Sequence, residues 1–256
     1  MRVATWNVNS VRARLPRLLA WLEATRPDVL CLQEIKVETA KFPAETLAAA
    51  GYHAAVNGQR TYHGVAILSR EPALDVAAGL RDGGDDAQAR LVSARIGGVR
   101  VLSAYVPNGG EVGSEKFAFK LAWLERLRAH LAATASAQEP LVLCGDLNVA
   151  PEDRDVAHPE AWADTVLCHA DVRTALRRVM DWGLVDTFRL HHVDGGFYSW
   201  WDYRQLAFPR NDGLRIDHIL ATAPLAKRCT AASIDREARK GAQPSDHVPV
   251  LAEFAT

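Results

Sequence analysis

The chain has no apolar run long enough to span a bilayer, few cysteines and almost no net charge. Each shortage removes a class of protein. Without a span, no membrane association is expected. The four cysteines, Cys31, Cys144, Cys168 and Cys229, lie far apart with no Cys-x-x-Cys pair, which argues against a structural zinc site or a disulfide framework. Cys31 and Cys144 fall within apolar runs and read as reduced, buried thiols. A net charge of −1 gives no overall attraction to nucleic acid, although Arg12, Arg14, Arg60, Arg204, Arg210 and Arg215 fall in predicted loops. Two catalytic signatures are also missing: Gly-x-x-x-x-Gly-Lys-Ser/Thr for nucleotide phosphates and Gly-x-Ser-x-Gly for a nucleophilic serine. Ser245, before Asp246-His247, is a lone hydroxyl and reads as a turn cap. No linker or low-complexity segment divides the 256 residues, so one domain over 1–256 is expected. Residues 1–6 already follow a strand pattern, so no leader is expected before the fold and the cytoplasm is the default compartment.

What is present is a regular alternation of short apolar runs and amphipathic stretches, the pattern of an α/β protein. Residues 2–8 read as a first strand. Leu15, Leu18, Leu19 and Leu22 recur at i, i+3, i+4 and i+7 and predict a helix facing the core. Pro27 precedes a strand over Val29–Gln33, and a short helix is expected to close at Gly51. Further strands are predicted at 52–56, 65–68, 89–96 and 99–105, with Gly97-Gly98 as a hairpin turn. Phe117, Leu121, Leu124, Leu127 and Leu131 form a second helical stripe, and Pro140 leads into a strand over 141–144. Residues 150–169 read as irregular. Asp171 is expected to N-cap a helix ending at Trp182-Gly183. The last strands fall at 215–221, 230–234 and 248–254. Helix, proline, strand and acid occur in that order twice, ending at Glu34 and at Asp146, as in a weak repeat with halves joined near residue 110.

Polar residues recur directly after apolar strands: Asn7 and Asn9, Gln33 and Glu34, Asn108, Asp146 and Asn148, Asp217, and Asp246-His247. One aspartate after a strand is usually a turn residue. Six such placements point instead to a site at one edge of a sheet, where α/β proteins build them. Several carboxylates in one pocket repel one another unless a cation neutralises them. The oxygen donors on offer, Glu34, Asp146 and Asp246 with the amides of Asn7 and Asn148, suit magnesium or manganese better than zinc. His247 is a possible zinc ligand in principle but has no second histidine at ligand spacing. The chemistry left is metal-assisted attack of water on a phosphate ester.

Six segments, in order from the first strand to the last, resemble the exonuclease III family of the endonuclease/exonuclease/phosphatase superfamily. They are Asn7-Val8-Asn9-Ser10-Val11-Arg12, Leu32-Gln33-Glu34-Ile35-Lys36, Tyr105-Val106-Pro107-Asn108-Gly109, Gly145-Asp146-Leu147-Asn148-Val149-Ala150, Gly213-Leu214-Arg215-Ile216-Asp217 and Pro244-Ser245-Asp246-His247. The resemblance implies a DNase I-like four-layer α/β sandwich, two packed mixed sheets flanked by helices. It implies an Mg2+-dependent AP endonuclease of base excision repair, with Mn2+ able to substitute, and with 3′-phosphatase, 3′-phosphodiesterase and 3′→5′ exonuclease activities. The implied partner is duplex DNA with abasic sites or 3′-blocked ends, bound by a monomer that associates with the nucleoid through DNA.

Carried over by position, the resemblance makes Glu34 the principal metal ligand, supported by Asn7 and Asp246, with Asp146, Asn148 and His247 also in the metal set. Asp146 would deprotonate the attacking water and Asn148 hold it or the phosphate. His247 would contact a phosphate oxygen while Asp217 fixes its tautomer. Tyr105 and Asn108 would stabilise charge in the transition state. Trp200, Leu214 and Ile216 would form a pocket for the extruded abasic sugar, and Trp201 reads as core. Arg12, Lys36, Arg204 and Arg215 would track backbone phosphates, with residues 202–212 as a DNA-facing loop. Three positions depart from the pattern: Asn9 where some relatives carry aspartate, Asn108 where glutamine occurs, and Glu111 where some carry a DNA-contacting arginine.

Two rivals remain: another phosphoesterase of the superfamily, and a catalytically inactive nucleic-acid-binding regulator. The second would lack the water- and metal-handling residues, all of which are present. The first is tested by rate: cleavage of a synthetic abasic duplex is expected to far exceed hydrolysis of a soluble phosphoinositide, and the reverse ranking would overturn the DNA assignment.

Overall fold

The computed structural model describes residues 1–84 and 87–255. The strands, in chain order, are β1 (Arg2–Asn7), β2 (Val29–Gln33), β3 (His53–Asn57), β4 (Val65–Ser69), β5 (Leu74–Ala78) and β6 (Leu91–Ile96). They continue as β7 (Val99–Tyr105), β8 (Leu141–Asp146), β9 (Leu184–Asp186), β10 (Asp217–Thr222), β11 (Cys229–Ile234) and β12 (Val250–Phe254). Two mixed six-stranded sheets result, one in the order β11-β12-β1-β2-β4-β3 and the other β5-β6-β7-β8-β10-β9.

Strand alternation sorts side chains between layers. In β1, Val3 joins the apolar layer between the sheets, with Val29, Cys31, Ile67, Val101, Val142, Cys144 and Ile219. Its neighbour Ala4 faces the opposite way, into a cluster with Leu18, Leu22, Leu30 and Leu32. That outer cluster is closed by helix α1 (Val11–Thr25), whose Leu18, Trp21 and Leu22 are buried. Ser10 caps α1 by accepting from the Ala13 amide. The short helix α2 (Ala44–Ala49) adds Leu47 to the same layer. On the far side of the second sheet, α3 (Glu115–Thr134) contributes Phe117, Leu124, Leu127 and Leu131 to a third cluster. A one-turn helix, α4 (Pro159–Trp162), and α5 (Ala170–Met180) complete that layer. The result is the helix, sheet, sheet, helix sandwich that the resemblance implies. Among the described residues no helix is long and apolar enough to cross a membrane.

Several expectations change. The chain does not divide near residue 110. The first sheet holds β1 to β4 with β11 and β12, so the chain passes to the second sheet after β4 and returns after β10. The repeated pattern has a geometric counterpart all the same: β1-α1-β2 and β7-α3-β8 each place two parallel strands around one helix, at the centre of each sheet. Two strands escaped the sequence reading. β5 is an edge strand whose alternating Leu74 and Val76 are exposed, and β9 has three residues. The predicted strand at 215–221 begins at Asp217. His169, not Asp171, caps α5: its ring accepts from the Asp171 amide, and Asp171 sits in the first turn. Helix α2 ends at Ala49, with Ala50 and not the expected Gly51 as its C-cap.

Gly145 matters most for the site, because β7 and β8 pair through it. Its φ is 151°, and a Cβ there would lie 1.9 Å from the Ala104 carbonyl oxygen. Gly145→Ala is therefore expected to force the two strands apart beside Asp146 and to cost about 3 kcal/mol. The measurement is the urea midpoint at unchanged slope; a midpoint equal to that of the parent protein would show that the strands yield freely.

Candidate active site

Polar side chains gather where the strand ends of the two sheets meet, and strand register brings them there. Asn7 lies opposite Gln33 in the parallel β1-β2 pair, with Glu34 next. Tyr105 lies opposite Asp146 in the parallel β7-β8 pair, and Asp146 opposite Asp217 in the antiparallel β8-β10 pair. Asp246-His247 enters from the segment leading into β12. Asn7 spans the sheets: its Nδ2 donates to Glu34 Oε1 on one side and to Asp146 Oδ2 on the other, each at 2.9 Å. Glu34 and Asn148 both adopt left-handed backbone, φ 49° and 50°, costing on the order of 1 kcal/mol each. Such strain persists only where surrounding contacts impose it. At Asn148 they do: its amide N–H donates to Asp146 Oδ1, its Nδ2 to the Val106 carbonyl, and its Oδ1 accepts from Asn108.

The buried His247 carries the electrostatics. Its Nδ1 meets Asp217 Oδ2 at 2.8 Å and its Nε2 faces Asp146 Oδ2 at 3.7 Å. Burial disfavours the charged ring, but Asp217, Asp146 and Asp246 outweigh burial and raise its pKa to about 10. Asp217 is held in turn by the Ser199 hydroxyl, which donates to it at 2.7 Å and accepts the Ile216 and Asp217 amides. Burial, then the nearby Asp217 and Glu34 charges, raise Asp146 to about 7, against His247 and Asn7. Glu34 moves the other way. Burial opposes its charge, yet Lys36, paired at 2.9 Å, with Asn7 and His247 draw it below the usual carboxylate value. Burial and the Glu34 and Asp146 charges keep the Tyr105 hydroxyl protonated well above its ordinary range.

The site fits a divalent cation. One donor atom each from Glu34, Asp146 and His247 lies within 4.8 Å of the others. Burial first, and then the Asp217 and Glu34 charges, raise the Asp146 pKa, and a cation would offset both. His247 offers a lone pair only when neutral. Asp246 stands further back, its oxygens taken by Asn9 Nδ2 and Trp200 Nε1, each at 3.0 Å. Asn9 also accepts from Lys36 Nζ at 2.6 Å.

The remaining expected residues divide. Arg12 and Arg204 are exposed, Arg204 forked onto Asp202. Arg215 is not a DNA-facing arginine: it is 1% exposed and paired with Asp155 at 2.6 Å and Asp186 at 2.8 Å. These two carboxylates, rather than phosphate, satisfy its guanidinium. Leu214 and Ile216 are buried in the core cluster against which the half-buried Trp200 packs. Trp201 is core, as expected. Three contributors carried no sequence signal. Ser199 positions Asp217, the buried Arg90 lies under the Tyr105 ring at 4.8 Å, and Trp162 meets Trp200 edge to face at 5.9 Å. Each depends on a partner distant in sequence.

The chain is also similar to known proteins. A family model described as Endonuclease/Exonuclease/phosphatase family matches residues 4–247. The chain is 36% identical to exodeoxyribonuclease III of Haemophilus influenzae, over 99% of this chain and 100% of that protein. Among solved structures, it resembles an AP endonuclease from Archaeoglobus fulgidus with TM-score 0.97 and 42% identity, covering 100% of both chains. It also resembles a 3′ phosphatase from Neisseria, bound to product DNA hairpin, with TM-score 0.96 and 41% identity over 100% of both chains.

A raised histidine pKa stabilises the fold with a definite sign. The stability owed to the charged His247 ring is complete below its ordinary value of 6.5 and is lost as pH rises through about 10. In metal-free protein the ring is expected to remain charged at pH 8 by NMR. Asp217→Asn should bring its titration toward the ordinary value and cost about 3 kcal/mol, as when one partner of a buried pair is removed. An unchanged titration in the variant would show that Asp217 does not hold the charge.

Proposed function

This chain belongs to the endonuclease/exonuclease/phosphatase family and is a nuclease of the exodeoxyribonuclease III and AP endonuclease type, and we propose that it cuts duplex DNA on the 5′ side of abasic sites with Mg2+. The same site would remove 3′ phosphates and other 3′ blocks and act as a 3′→5′ exonuclease. The observation that carries this reading is the convergence of Glu34, Asp146 and the Asp217-His247 pair at the meeting of the two sheets.

Glu34 and Asp146 would hold the cation, with Asn7 fixing both carboxylates and Asp246 supporting from behind Asn9. Held there, Mg2+ or the equally hard Mn2+ supplies neutralisation of the charge on the phosphate and on the departing 3′ oxygen. Asp146, beside Asn7 and His247, would take the proton of the attacking water. His247 offers its Nε2 proton to a non-bridging phosphate oxygen while Asp217 keeps Nδ1 protonated. The Asn148 and Asn108 amides, 3.3 Å apart, hold the water and the phosphate, and Tyr105 remains a neutral donor. Trp200 is where a base-free sugar would rest. A full nucleotide costs more to extrude and needs more room. Arg12, Lys36 and Arg204 would meet backbone phosphates. The Archaeoglobus relative is described as an AP endonuclease and the Neisseria relative as a 3′ phosphatase with product DNA, which supports both halves of the proposal.

One duplex, carrying in turn an abasic site, a 3′-phosphate and an undamaged end, separates these activities. With Mg2+ the abasic site is expected to be nicked, and EDTA should abolish nicking. Asp146→Asn should lower the rate by ~10² or more with the thermal melt retained. Full activity in EDTA or in the variant would refute a metal-assisted attack led by Asp146.

A further inference from the structure

Lys120 lies on the inner face of α3 among Phe117, Leu124 and Leu127 and is fully buried. An ammonium is seldom enclosed in this way, and it persists only where its three N–H donors are met. Here they are met by three backbone carbonyls: Asn108 at 3.0 Å, Asn148 at 2.6 Å and Val166 at 2.6 Å. The three belong to separate segments, one after β7, one after β8 and one before α5. Gly109 fits against the lysine stem, where a Cβ would come within 3.0 Å of Lys120 Cδ.

Three carbonyl oxygens aimed at one point repel one another unless N–H donors sit between them, and the Lys120 amine supplies these although burial lowers its pKa to about 7. Lys120 therefore does more than fill space. It clamps the loops of Asn108 and Asn148 from behind, while the side chains of those residues meet in front, Nδ2 to Oδ1. It also restrains Asn148 in the left-handed backbone that turns its amide toward Val106 and Asn108.

We propose that Lys120 is a positioning residue, which sets the Asn108 and Asn148 amides in the geometry the reaction requires without itself reaching substrate. The inference rests on the reading above of Asn148 as a group that holds water or phosphate.

The test is a cycle of Lys120→Met, Asn148→Ala and the double variant, assayed on the duplex that the parent protein cuts fastest, at a temperature below each melt. Lys120→Met is expected to lower kcat about 100-fold, the scale of a small misplacement of reacting groups, with KM within about threefold. If Lys120 acts through Asn148, the double variant falls no further than Asn148→Ala alone. Should Lys120→Met fail to fold, Lys120→Gln, which keeps two donors, carries the same cycle with a smaller loss. Folded Lys120 variants with the parent kcat beside an inactive Asn148→Ala would overturn the proposal, as would losses that multiply in the double variant. An Asn148→Ala protein with the parent kcat would instead overturn the role given to Asn148, and the route from Lys120 with it.

Discussion

Asp217 and His247 come from different sheets, and their contact at 2.8 Å ties the two halves of the site together. Asp217 opens β10 in the second sheet, while His247 leads into β12 in the first. Neither charge is near water, so each is tolerable only with the other in place. Much of the local architecture serves this pair. Ser199 fixes the carboxylate through one hydrogen bond given and two received. Ser245, the expected turn cap, accepts the His247 amide and donates to the Asn7 carbonyl, which links the histidine to the end of β1. Trp6 adds an indole hydrogen bond to the His247 carbonyl.

Around this pair, two carboxylates are driven in opposite directions. Glu34 has Lys36 beside it and stays ionised, whereas Asp146 lies deeper, against Asp217 and Glu34, and gains affinity for a proton. Separation of this kind lets one site contain both a fixed negative charge and a proton acceptor near neutrality. The Asn7 amide, bonded to both, keeps them apart without neutralising either.

The parts of this arrangement legible in the sequence are those fixed by local rules. A polar residue directly after an apolar strand declares its position, so Asn7, Glu34, Asp146, Asn148, Asp217 and His247 could be gathered before any coordinates. Helices α1 and α3 declared themselves by leucine spacing. What stayed hidden depends on distant partners. Nothing near Arg215 reveals that Asp155 and Asp186 will enclose it, so it reads as a surface charge. The packing of Trp162 against Trp200 was equally hidden, because Trp162 comes from a stretch that reads as irregular. Strand β5 has Leu74 and Val76 at alternate positions, but both are exposed at a sheet edge, so the alternation marks no buried face.

The first and last strands are neighbours: β1 lies between β2 and β12, and the Met1 amine donates to the Phe254 carbonyl at 2.7 Å. A chain made from its N-terminus therefore emerges with β1 lacking one of its two partners until β12 has been synthesised. His247 arrives at the same late moment. From residue 217 until residue 247 is made, the nascent protein carries Glu34, Asp146 and Asp217 together without the ring that faces them, and the first sheet cannot close on local contacts alone. The contact between Asp217 and His247 therefore forms only after residue 247 has been made, and a chain that stops short of it lacks the ring that Asp217 holds.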